Sequence, residues 1–298
     1  MSAGTLRIAE IWRYPVKSMA GERIEAADGG SRGIPLDRGW AVRDEQAGAI
    51  RSARYIPRLL LCSARYLPGT DAGLVPHVEI TLPDGSTVRS DDRNVDQRLS
   101  DAIGRRLTLW SLKPADEIEH LRVGPEALVT GDATREMRML FGLNDDEPLP
   151  DLSGVPPKLL RELGELAAPR GTYFDAFPVN VLTEASLRYL QTLLPESKLD
   201  VRRFRPNILI ANDSAPAKPV EFDWIGREVT LGAARIAAVM RCPRCIMTTR
   251  AQEGSGLNLP RDSAIMRTLV RETEQNLSIY CTVSREGRIA VGDPVSIN

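Results

Sequence analysis

The sequence predicts a β-rich α+β fold, and the residue pattern favours this class in three ways. Most apolar stretches are short, alternate with polar residues and stop at glycine or proline, as strands and turns do. Amphipathic helical patterns are few and stand apart from one another along the chain. Strands this short, at such close spacing, are typical of a barrel or a sandwich rather than of a parallel sheet with alternating helices.

The first third of the chain is predicted to consist of strands and turns. The stretch LRIAEIWRYPV mixes apolar and polar positions in short alternation until Pro15 ends it. GERIEAADGG predicts a short strand that runs into a glycine turn. GWAVRDEQAGAIRS and VEITLPDGSTVRS each place two apolar stretches around a polar loop that contains glycine, so each predicts a hairpin.

Three helices are predicted from apolar periodicity and from end signals. Apolar residues recur every four positions from Val95 to Ile103, and Gly104 follows where a C-terminal cap belongs. TEASLRYLQTLL is amphipathic and begins at Thr183, a residue type that caps helix N-termini. PRDSAIMRTLVRETE predicts a further helix, with Asp262 as its candidate cap.

The remainder of the second half is predicted as strands, apart from one weakly patterned region. RFRPNILIAN predicts one strand, REVTLGAARIAAVMRC two more, and IYCTVSREGRIAVGDPVSI a closing hairpin. Between residues 116 and 170 the periodicity weakens. The acidic, proline-rich part of this region, from 143 to 157, fits a surface loop, a lid or a linker, and the sequence does not decide among them.

Composition indicates an ordinary globular protein. Of the 298 residues, 42% are hydrophobic and 27% are charged, and 39 basic residues nearly balance 40 acidic ones. This balance gives no global attraction to nucleic acid or to an anionic membrane, so we expect neither as a partner. Four cysteines are too few for a disulfide scaffold, and no apolar run approaches a bilayer span. We therefore expect a reducing, cytoplasmic setting.

The stretch RCPRCIMTTR concentrates two of the four cysteines, Cys242 and Cys245, among arginines. A redox dithiol needs its first cysteine at a helix N-terminus, yet the residues before Cys242 read as a strand and β-branched residues follow Cys245. Structural zinc needs a second ligand pair, and Cys62, Cys281 and two scattered histidines do not form one.

A third interpretation is one thiolate held among arginines as a ligand for a soft or high-valent metal. Positive neighbours favour the thiolate and would also attract an anionic cofactor. Against it stands the possibility that both cysteines are packing residues, since cysteine is among the most buried residue types. Residue chemistry alone leaves this choice open.

Five motifs resemble a known family. YPVKS (14–18), LDRGW (36–40), RFRPN (203–207), CPRCIMTT (242–249) and GRIAVGDPV (287–295) occur in that order. Together they resemble the MOSC superfamily, which is named for the C-terminal domain of molybdenum cofactor sulfurase. The likeness is greatest to the mitochondrial amidoxime reducing component and its bacterial relatives, and it extends from about residue 6 to residue 297.

The resemblance implies a two-domain fold around a bound cofactor. An N-terminal, MOSC-type β-barrel-like domain would occupy residues 1–115. A C-terminal MOSC β-barrel domain with flanking helices would occupy residues 116–298. The molybdenum cofactor (Mo-molybdopterin) would lie between the two domains.

The resemblance also implies the site residues. The second cysteine of the motif, Cys245, would be the catalytic residue and the molybdenum ligand, with Cys242 only a neighbour. The cofactor contacts of the family map onto Lys17, Ser18, Arg38, Asp175, Ala176, Phe177, Arg205, Pro243 and Arg244. Where eukaryotic relatives carry Thr-Ser after the aspartate, this chain has lost both hydroxyls, so only backbone contacts are expected at Ala176 and Phe177.

The chemistry of these residue types agrees with the resemblance. Arginine offers planar, bidentate donors to phosphate or oxo groups, and Lys17 adds a compact positive charge. Asp175 accepts hydrogen bonds and suits the N–H edge of a pterin. Each has a plainer interpretation, because most of the 34 arginines are expected to be solvated, Asp175 could be a turn residue and Ser18 a local cap.

The implied activity is that of a molybdenum-cofactor oxidoreductase that reduces N-hydroxylated substrates and does not depend on pyridoxal phosphate. Its electrons would come from a separate reductase or ferredoxin-type donor, since the chain has no cluster of four cysteines for an iron–sulfur centre. One alternative is a carrier of the cofactor, or of its sulfur, that does not turn over. Another is a metal-free protein on the same scaffold.

Overall fold

The computed structural model describes residues 6–123, 128–212, 217–254 and 257–298. The strands of the first half are β1 Arg7–Arg13, β2 Glu22–Ile24, β3 Ala26–Gly29, β4 Trp40–Asp44, β5 Ala49–Ile50, β6 Ser63–Tyr66, β7 Val78–Thr81, β8 Thr87–Arg89 and β9 Leu107–Ser111. The strands of the second half are β10 Val179–Thr183, β11 Ile208–Ala211, β12 Glu228–Leu231, β13 Ala234–Pro243, β14 Gln252–Gly254, β15 Leu257–Leu259, β16 Asn276–Arg285, β17 Gly287–Ala290 and β18 Val295–Ile297.

The α-helices are α1 Val95–Ile103, α2 Ala133–Phe141, α3 Pro157–Glu165, α4 Glu184–Leu193, α5 Val201–Phe204 and α6 Ala264–Thr273. None of the helices within the described ranges is both long enough and apolar enough to cross a lipid bilayer. The predicted β-rich α+β class is confirmed by these elements.

One eight-stranded sheet joins the two ends of the chain. Its order is β18-β12-β13-β16-β10-β11-β1-β2, with β10 and β11 parallel and the other neighbours antiparallel. The first strand thus pairs with a strand some two hundred residues later, and β3 pairs with β17 near the C-terminus. The predicted division at residues 115 and 116 stays a prediction, and strands from both sides of it share sheets.

Strand β13 carries the cysteine motif, and its alternation decides which side chains are buried. Every second residue from Ala234 to Cys242 is buried, and Arg241, which directly precedes Cys242, is exposed. This period of two is that of a strand with one covered face, so Cys242 faces the interior. The strand ends at Pro243, immediately before Arg244 and Cys245.

Both hairpins predicted in the first third are confirmed. Strand β4 pairs antiparallel with β5, and β7 with β8, across the turn that contains Gly85. Helix α1 then packs Leu99 and Ile103 into the core formed by these sheets. It ends at Gly104, whose φ of 75° is the left-handed conformation that glycine adopts without steric cost.

Helices α4 and α6 form where they are predicted, and the N-cap of α6 lies one residue after the predicted position. The Thr183 hydroxyl accepts a hydrogen bond from the Ser186 amide at 3.2 Å, as an N-cap does. The cap position of α6 is Ser263 and not the predicted Asp262. Asp262 still bonds the first turn, because its carboxylate accepts from the Ala264 amide at 3.0 Å.

Two strand predictions were wrong. The chain does not close with a hairpin, since β16 pairs with β13 and β10 while β17 crosses to β3 and β18 to β12. Gly287, at the start of β17, lies against the turn between β12 and β13, where an added Cβ would meet the Ala233 carbonyl at 2.6 Å. The pairing of β17 with β3 is a contact between distant parts of the chain, which local alternation does not specify. In RFRPNILIAN only β11 is extended, because Asp200 caps the short helix α5 over its beginning.

The weakly patterned region contains two helices that the sequence analysis missed. Helix α2 begins after Asp132, which accepts from the Arg135 amide at 2.7 Å, and ends at the left-handed Gly142. The acidic, proline-rich residues 143–157 connect α2 to α3. Arg267 on α6 fastens this connection, because it donates to the Gly142 carbonyl and to the Glu147 carboxylate.

Gly21, between β1 and β2, provides a test of this packing. A Cβ there would lie 2.5 Å from Cδ1 of Tyr14 and would collide with the Arg13 carbonyl. We expect Gly21→Ala to lower the free energy of unfolding by about 2 kcal/mol, measured by denaturant titration. The control is Gly30→Ala, where a Cβ meets nothing within 4 Å, and equal stability of the two variants would contradict the packing described here.

Candidate functional site

Two adjoining cavities meet at the end of the cysteine motif. The smaller encloses about 50 Å³ and the larger about 400 Å³. The residues that line both are Asp175, Ala176, Phe177, Pro243, Cys245 and Tyr280. Cys245 therefore lies at the boundary between the two cavities, and residues distant in the sequence surround it.

Local backbone geometry separates the two cysteines. Cys242 is only 1% exposed because the alternation of β13 turns it inward, whereas Cys245 is partly exposed. After the strand, the Arg244 amide donates to the Gln275 carbonyl and the Gln275 side chain donates back to Arg244, both at 2.9 Å. The Cys245 carbonyl then accepts from Thr248 and begins the 3₁₀ turn Ile246–Thr249. The second cysteine is thus the accessible one.

The predicted effect of the arginines on Cys245 is only partly present. Burial raises the pKa of the Cys245 thiol, and the nearby charges of Arg54 and Arg244 lower it by less. The positive neighbours therefore act on the thiol in the predicted direction, but burial outweighs them and the net pKa is raised. A metal that bound this sulfur would displace its proton.

Arg244 ties three elements together beneath Cys245. Its Nη1 donates to the Cys242 sulfur at 2.9 Å and to the Ser278 hydroxyl at 3.3 Å, and its Nη2 donates to the Phe204 carbonyl at 2.7 Å. These bonds join β13, β16 and α5. A further donor, Nε, is buried and has no hydrogen-bond partner within the described residues.

Arg205 and Arg38 flank the ring of Tyr14. Their guanidinium carbons lie 4.2 and 5.3 Å from its centroid, and both residues have a left-handed φ of 51°. Arg38 pairs with the Asp37 carboxylate, whereas Arg205 donates only to the Met19 carbonyl, at 2.6 Å. Burial lowers the pKa of Arg205 to about 10, so the group remains charged at neutral pH. Its Nη2 is buried without a partner among the described residues.

The unused donors indicate what the smaller cavity can hold. Arg205 and Arg244 both line it, and each keeps a buried N–H without an acceptor. Asn180, in the same wall, keeps a buried Oδ1 without a donor. Because an unsatisfied buried polar group is costly, this wall fits an anionic group that also carries N–H donors. A phosphorylated pterin has both.

Three of the five motifs are bonded to one another behind this wall. The Tyr14 hydroxyl donates to the Pro206 carbonyl at 2.9 Å, and the Tyr14 amide donates to Asp37 at 2.8 Å. Asn207 donates to the same Asp37 carboxylate at 3.0 Å. YPVKS, LDRGW and RFRPN thus form one bonded unit that fixes the positions of Arg38 and Arg205.

Lys17 and Ser18 are buried, but their polar groups are engaged by the protein. The three donors of the Lys17 ammonium go to the carbonyls of Tyr173 and Phe174, at 2.8 and 3.2 Å, and to Asp175 at 2.8 Å. Ser18 accepts from the Ala53 amide at 2.9 Å and lines neither cavity. Both residues hold the neighbouring loops in place, and their direct contact with a cofactor stays a prediction.

Asp175 is an ionised acceptor in the shared wall, with a side chain that is 42% exposed. Partial burial raises its pKa, but the charges of Lys17, Arg54 and Arg38 outweigh burial and hold the pKa well below its usual range. Arg54, whose Nη2 lies 3.9 Å from Asp175, was missed by the sequence analysis. No spacing distinguishes it from the other 33 arginines.

Ala176 and Phe177 form an apolar part of the shared wall. The Phe177 ring stacks on Tyr280 with centroids 5.1 Å apart, in a small cluster with Val155 and Met240. The two positions that lost their hydroxyls therefore contribute surface rather than hydrogen bonds. Tyr280 lines both cavities and was also missed, because its position in β16 resembles that of any strand aromatic.

The weakly patterned region forms one side of the larger cavity. Apolar side chains of α2 and α3 face Arg51, Arg54 and Tyr55 from the first half of the chain across it. The helical residues that line it include Met137, Leu140, Phe141, Leu160 and Leu163. Leu152 and Val155, from the acidic, proline-rich segment between these helices, also line the cavity, and the choice among a surface loop, a lid and a linker stays open.

The structure argues against the zinc and the redox-dithiol interpretations of the two cysteines. Within the described residues, no three His, Cys, Asp or Glu side chains come together as a metal-binding group. The zinc interpretation therefore lacks a ligand set in this part of the chain. The thioredoxin interpretation also fails on geometry, because Cys242 lies within a strand and not at a helix N-terminus.

Fold and site define a class of protein in which a β-rich scaffold presents one accessible cysteine beside a cavity with buried arginine donors. Residues 5–121 match the MOSC N-terminal beta barrel domain, and residues 168–296 match the MOSC domain. The chain belongs to the MOSC-domain family. Its predicted two-domain MOSC architecture is confirmed by these matches.

Curated relatives match along nearly the whole chain. Mitochondrial amidoxime-reducing component 1 of Xenopus laevis is 28% identical over 97% of this chain and 81% of its own length. Mitochondrial amidoxime reducing component 2 of Homo sapiens is 26% identical over 97% and 82%. Among solved structures, the YuaD protein of Bacillus subtilis aligns with 98% of this chain and 95% of its own, at a TM-score of 0.41 and 10% identity.

The depressed pKa of Asp175 gives the site a signature in acid. Because the folded-state pKa lies below the ordinary value of 3.8, the resulting stabilisation is fully present above that value and is lost as the pH falls below it. The free energy of unfolding of wild type minus that of Asp175→Asn should therefore decrease from about pH 6 to about pH 2.5. A difference that does not change with pH would contradict the proposed ionisation.

Proposed function

We propose that this protein is a molybdenum-cofactor oxidoreductase that removes oxygen from N-hydroxylated substrates. The observation that carries the proposal is the position of Cys245. It lies between a small cavity with unused arginine donors and a large, mostly apolar cavity. The first suits an anionic cofactor and the second an organic substrate, and the sulfur adjoins both.

The family supports the choice of cofactor and reaction. MOSC domains are associated with binding of the molybdenum cofactor, and the curated relatives are named for the reduction of amidoximes. At 26 to 28% identity, those names support a reaction class rather than one compound. The same names describe a component, in keeping with electrons that arrive from a separate reductase or ferredoxin-type donor.

Cationic residues and hydrogen-bond acceptors would bind different chemical groups of the cofactor. Arg205 and Arg244 would satisfy their unused donors on its anionic groups, with the buried charge of Arg38 beside them. Asp175 and Asn180 would accept from the N–H groups of the pterin. A space of about 50 Å³ is small for a whole pterin, so the cofactor would also occupy part of the larger cavity.

When bound, the molybdenum cofactor supplies the two electrons that, with two protons, break the N–O bond and release water. Cys245 would hold the metal through a soft sulfur ligand. The apolar side chains of α2 and α3 would bind the body of the substrate and exclude bulk water from the reacting end. We place the reaction in the cytoplasm, with neither nucleic acid nor membrane as a partner.

The large cavity favours an enzyme over a carrier. A protein that only transports the cofactor, or its sulfur, needs a cofactor site and an exit. The part of the 400 Å³ cavity that is lined by Leu140, Phe141, Leu160 and Leu163 would provide room for an organic molecule beside the bound cofactor. The loss of hydroxyls at residues 176 and 177 leaves this cavity intact, because Phe177 packs on Tyr280.

The two cysteines should respond differently to the same substitution. Protein made in a host that synthesises the cofactor should contain molybdenum and reduce benzamidoxime with an artificial electron donor. Cys245→Ser should lower this activity by roughly 100-fold or more and lower the metal content, because oxygen replaces a soft sulfur ligand. Cys242→Ser, at a buried position whose sulfur accepts from Arg244 and donates to the Pro243 carbonyl, should keep much of the activity and the metal.

Each outcome separates the competing functions. Metal and pterin that remain bound without turnover under any donor would favour the carrier. Purified protein without molybdenum would contradict the proposal. Equal losses in Cys245→Ser and Cys242→Ser would remove the distinction on which the role of Cys245 depends.

Arg205 should contribute to retention of the cofactor. We expect Arg205→Met to lose cofactor about tenfold more readily during gel filtration, because its buried Nη2 would be the donor to an anionic group. Arg241→Met removes the same charge from an exposed position two residues before Pro243 and serves as the control. Equal retention in both variants would contradict a binding role for Arg205.

A further inference from the structure

Helix α2 brings a carboxylate without a cationic partner into the wall of the larger cavity. Glu136 is 3% exposed and lines this cavity together with Tyr55 and Arg54. Its Oε2 accepts from the amide and the hydroxyl of Thr130, both at 3.0 Å. Its Oε1 is buried and has no hydrogen-bond partner in the described part of the chain.

The charge of Glu136 is retained but not neutralised. Burial raises the pKa of Glu136, whereas the hydrogen bonds from Thr130 and the nearby Tyr55 hydroxyl outweigh burial and leave the pKa below its usual value. Among the described residues, no lysine or arginine forms an ion pair with Glu136. Arg54, in the same wall, pairs with Asp175, and the guanidinium of Arg51 lies over the Tyr55 ring at 3.9 Å. A buried, ionised carboxylate without a cation is costly unless a ligand supplies one.

The surroundings of Glu136 are those of a recognition point for an apolar ligand with one polar end. Met137 and Leu140, on the same helix, also line the cavity. Helix α2 is fixed relative to the cysteine turn, because Gly142 at its end packs against Ile246, the neighbour of Cys245. The distance from Glu136 to the turn is thus set by one short helix and its cap.

We propose that Glu136 recognises the amidine- or guanidine-type N–H groups of compounds whose apolar body lies along α2. This deepens the proposed function, on which it rests for the identity of the reacting group. It selects substrates that carry an amino group beside the N–O bond, as amidoximes do, over oximes and N-oxides that do not. The free Oε1 accepts the N–H of the ligand, and the charge of the carboxylate also attracts the amidinium form.

Binding of benzamidine tests this inference without turnover. The probe carries an amidinium on an aromatic ring, and acetophenone has nearly the same shape with no N–H donor. Isothermal titration of purified full-length protein, with its metal content measured, should give at least tenfold tighter binding of benzamidine than of acetophenone. Glu136→Gln should lower the affinity for benzamidine at least tenfold and leave the affinity for acetophenone unchanged.

Glu165→Gln is the matched control, because Glu165 is an exposed carboxylate on α3 that does not line this cavity. It should bind both probes as wild type does. Equal binding of benzamidine by wild type and Glu136→Gln overturns the proposal, and so does a wild type that prefers acetophenone or binds the two probes equally.

A shortened side chain replaces the first variant if Glu136→Gln does not fold. Glu136→Asp keeps the charge and withdraws it by one methylene. The affinity for benzamidine should therefore fall about threefold or more, while the affinity for acetophenone does not change. Unchanged benzamidine binding in this variant overturns the proposal. Because no step requires turnover, failure here leaves the molybdenum chemistry of Cys245 untouched, and loss of that chemistry leaves this result standing.

Discussion

Three buried guanidinium groups, those of Arg38, Arg205 and Arg244, impose the constraint on which this site depends. Their nearest polar partners are one carboxylate, one sulfur, one hydroxyl and backbone carbonyls, with aromatic faces beside them. Two of the three keep a buried donor without an acceptor. A protein that only had to fold would gain from apolar side chains at these positions. The arrangement is therefore best explained by an anion that completes it, next to the sulfur of Cys245.

The sheet topology explains how residues so distant in sequence reach one point. Strand β1 pairs with β11, which brings YPVKS beside RFRPN, and Asp37 then bonds both. Strand β13 delivers Cys245 from the opposite side through the alternation that buries Cys242. Helix α2 covers the remaining side and places Glu136 in the cavity wall. The proposed cofactor site and the proposed substrate cavity thus share one scaffold.

Sequence reasoning succeeded where the signal is local or carried by a motif. The hairpins, α1 and the Thr183 cap follow from alternation, spacing and turn residues. Most residues inferred from the family line the cavities, and their roles stay predictions. It failed where long-range contacts decide, since β17 pairs with β3, a strand near the other end of the chain. Arg54, Tyr280 and Glu136 lie outside any motif. The sequence also does not show that Lys17 donates its hydrogen bonds to residues 173–175, because these acceptors are distant in the chain.

The most direct test of the central claim is a crystal structure of cofactor-loaded protein with anomalous data collected at the molybdenum edge. The account predicts one strong anomalous peak bonded to the Cys245 sulfur, with anionic density against Arg205 and Arg244. A peak bonded to Cys242 or located elsewhere, or loaded crystals in which Arg205 and Arg244 still lack an acceptor, would contradict it.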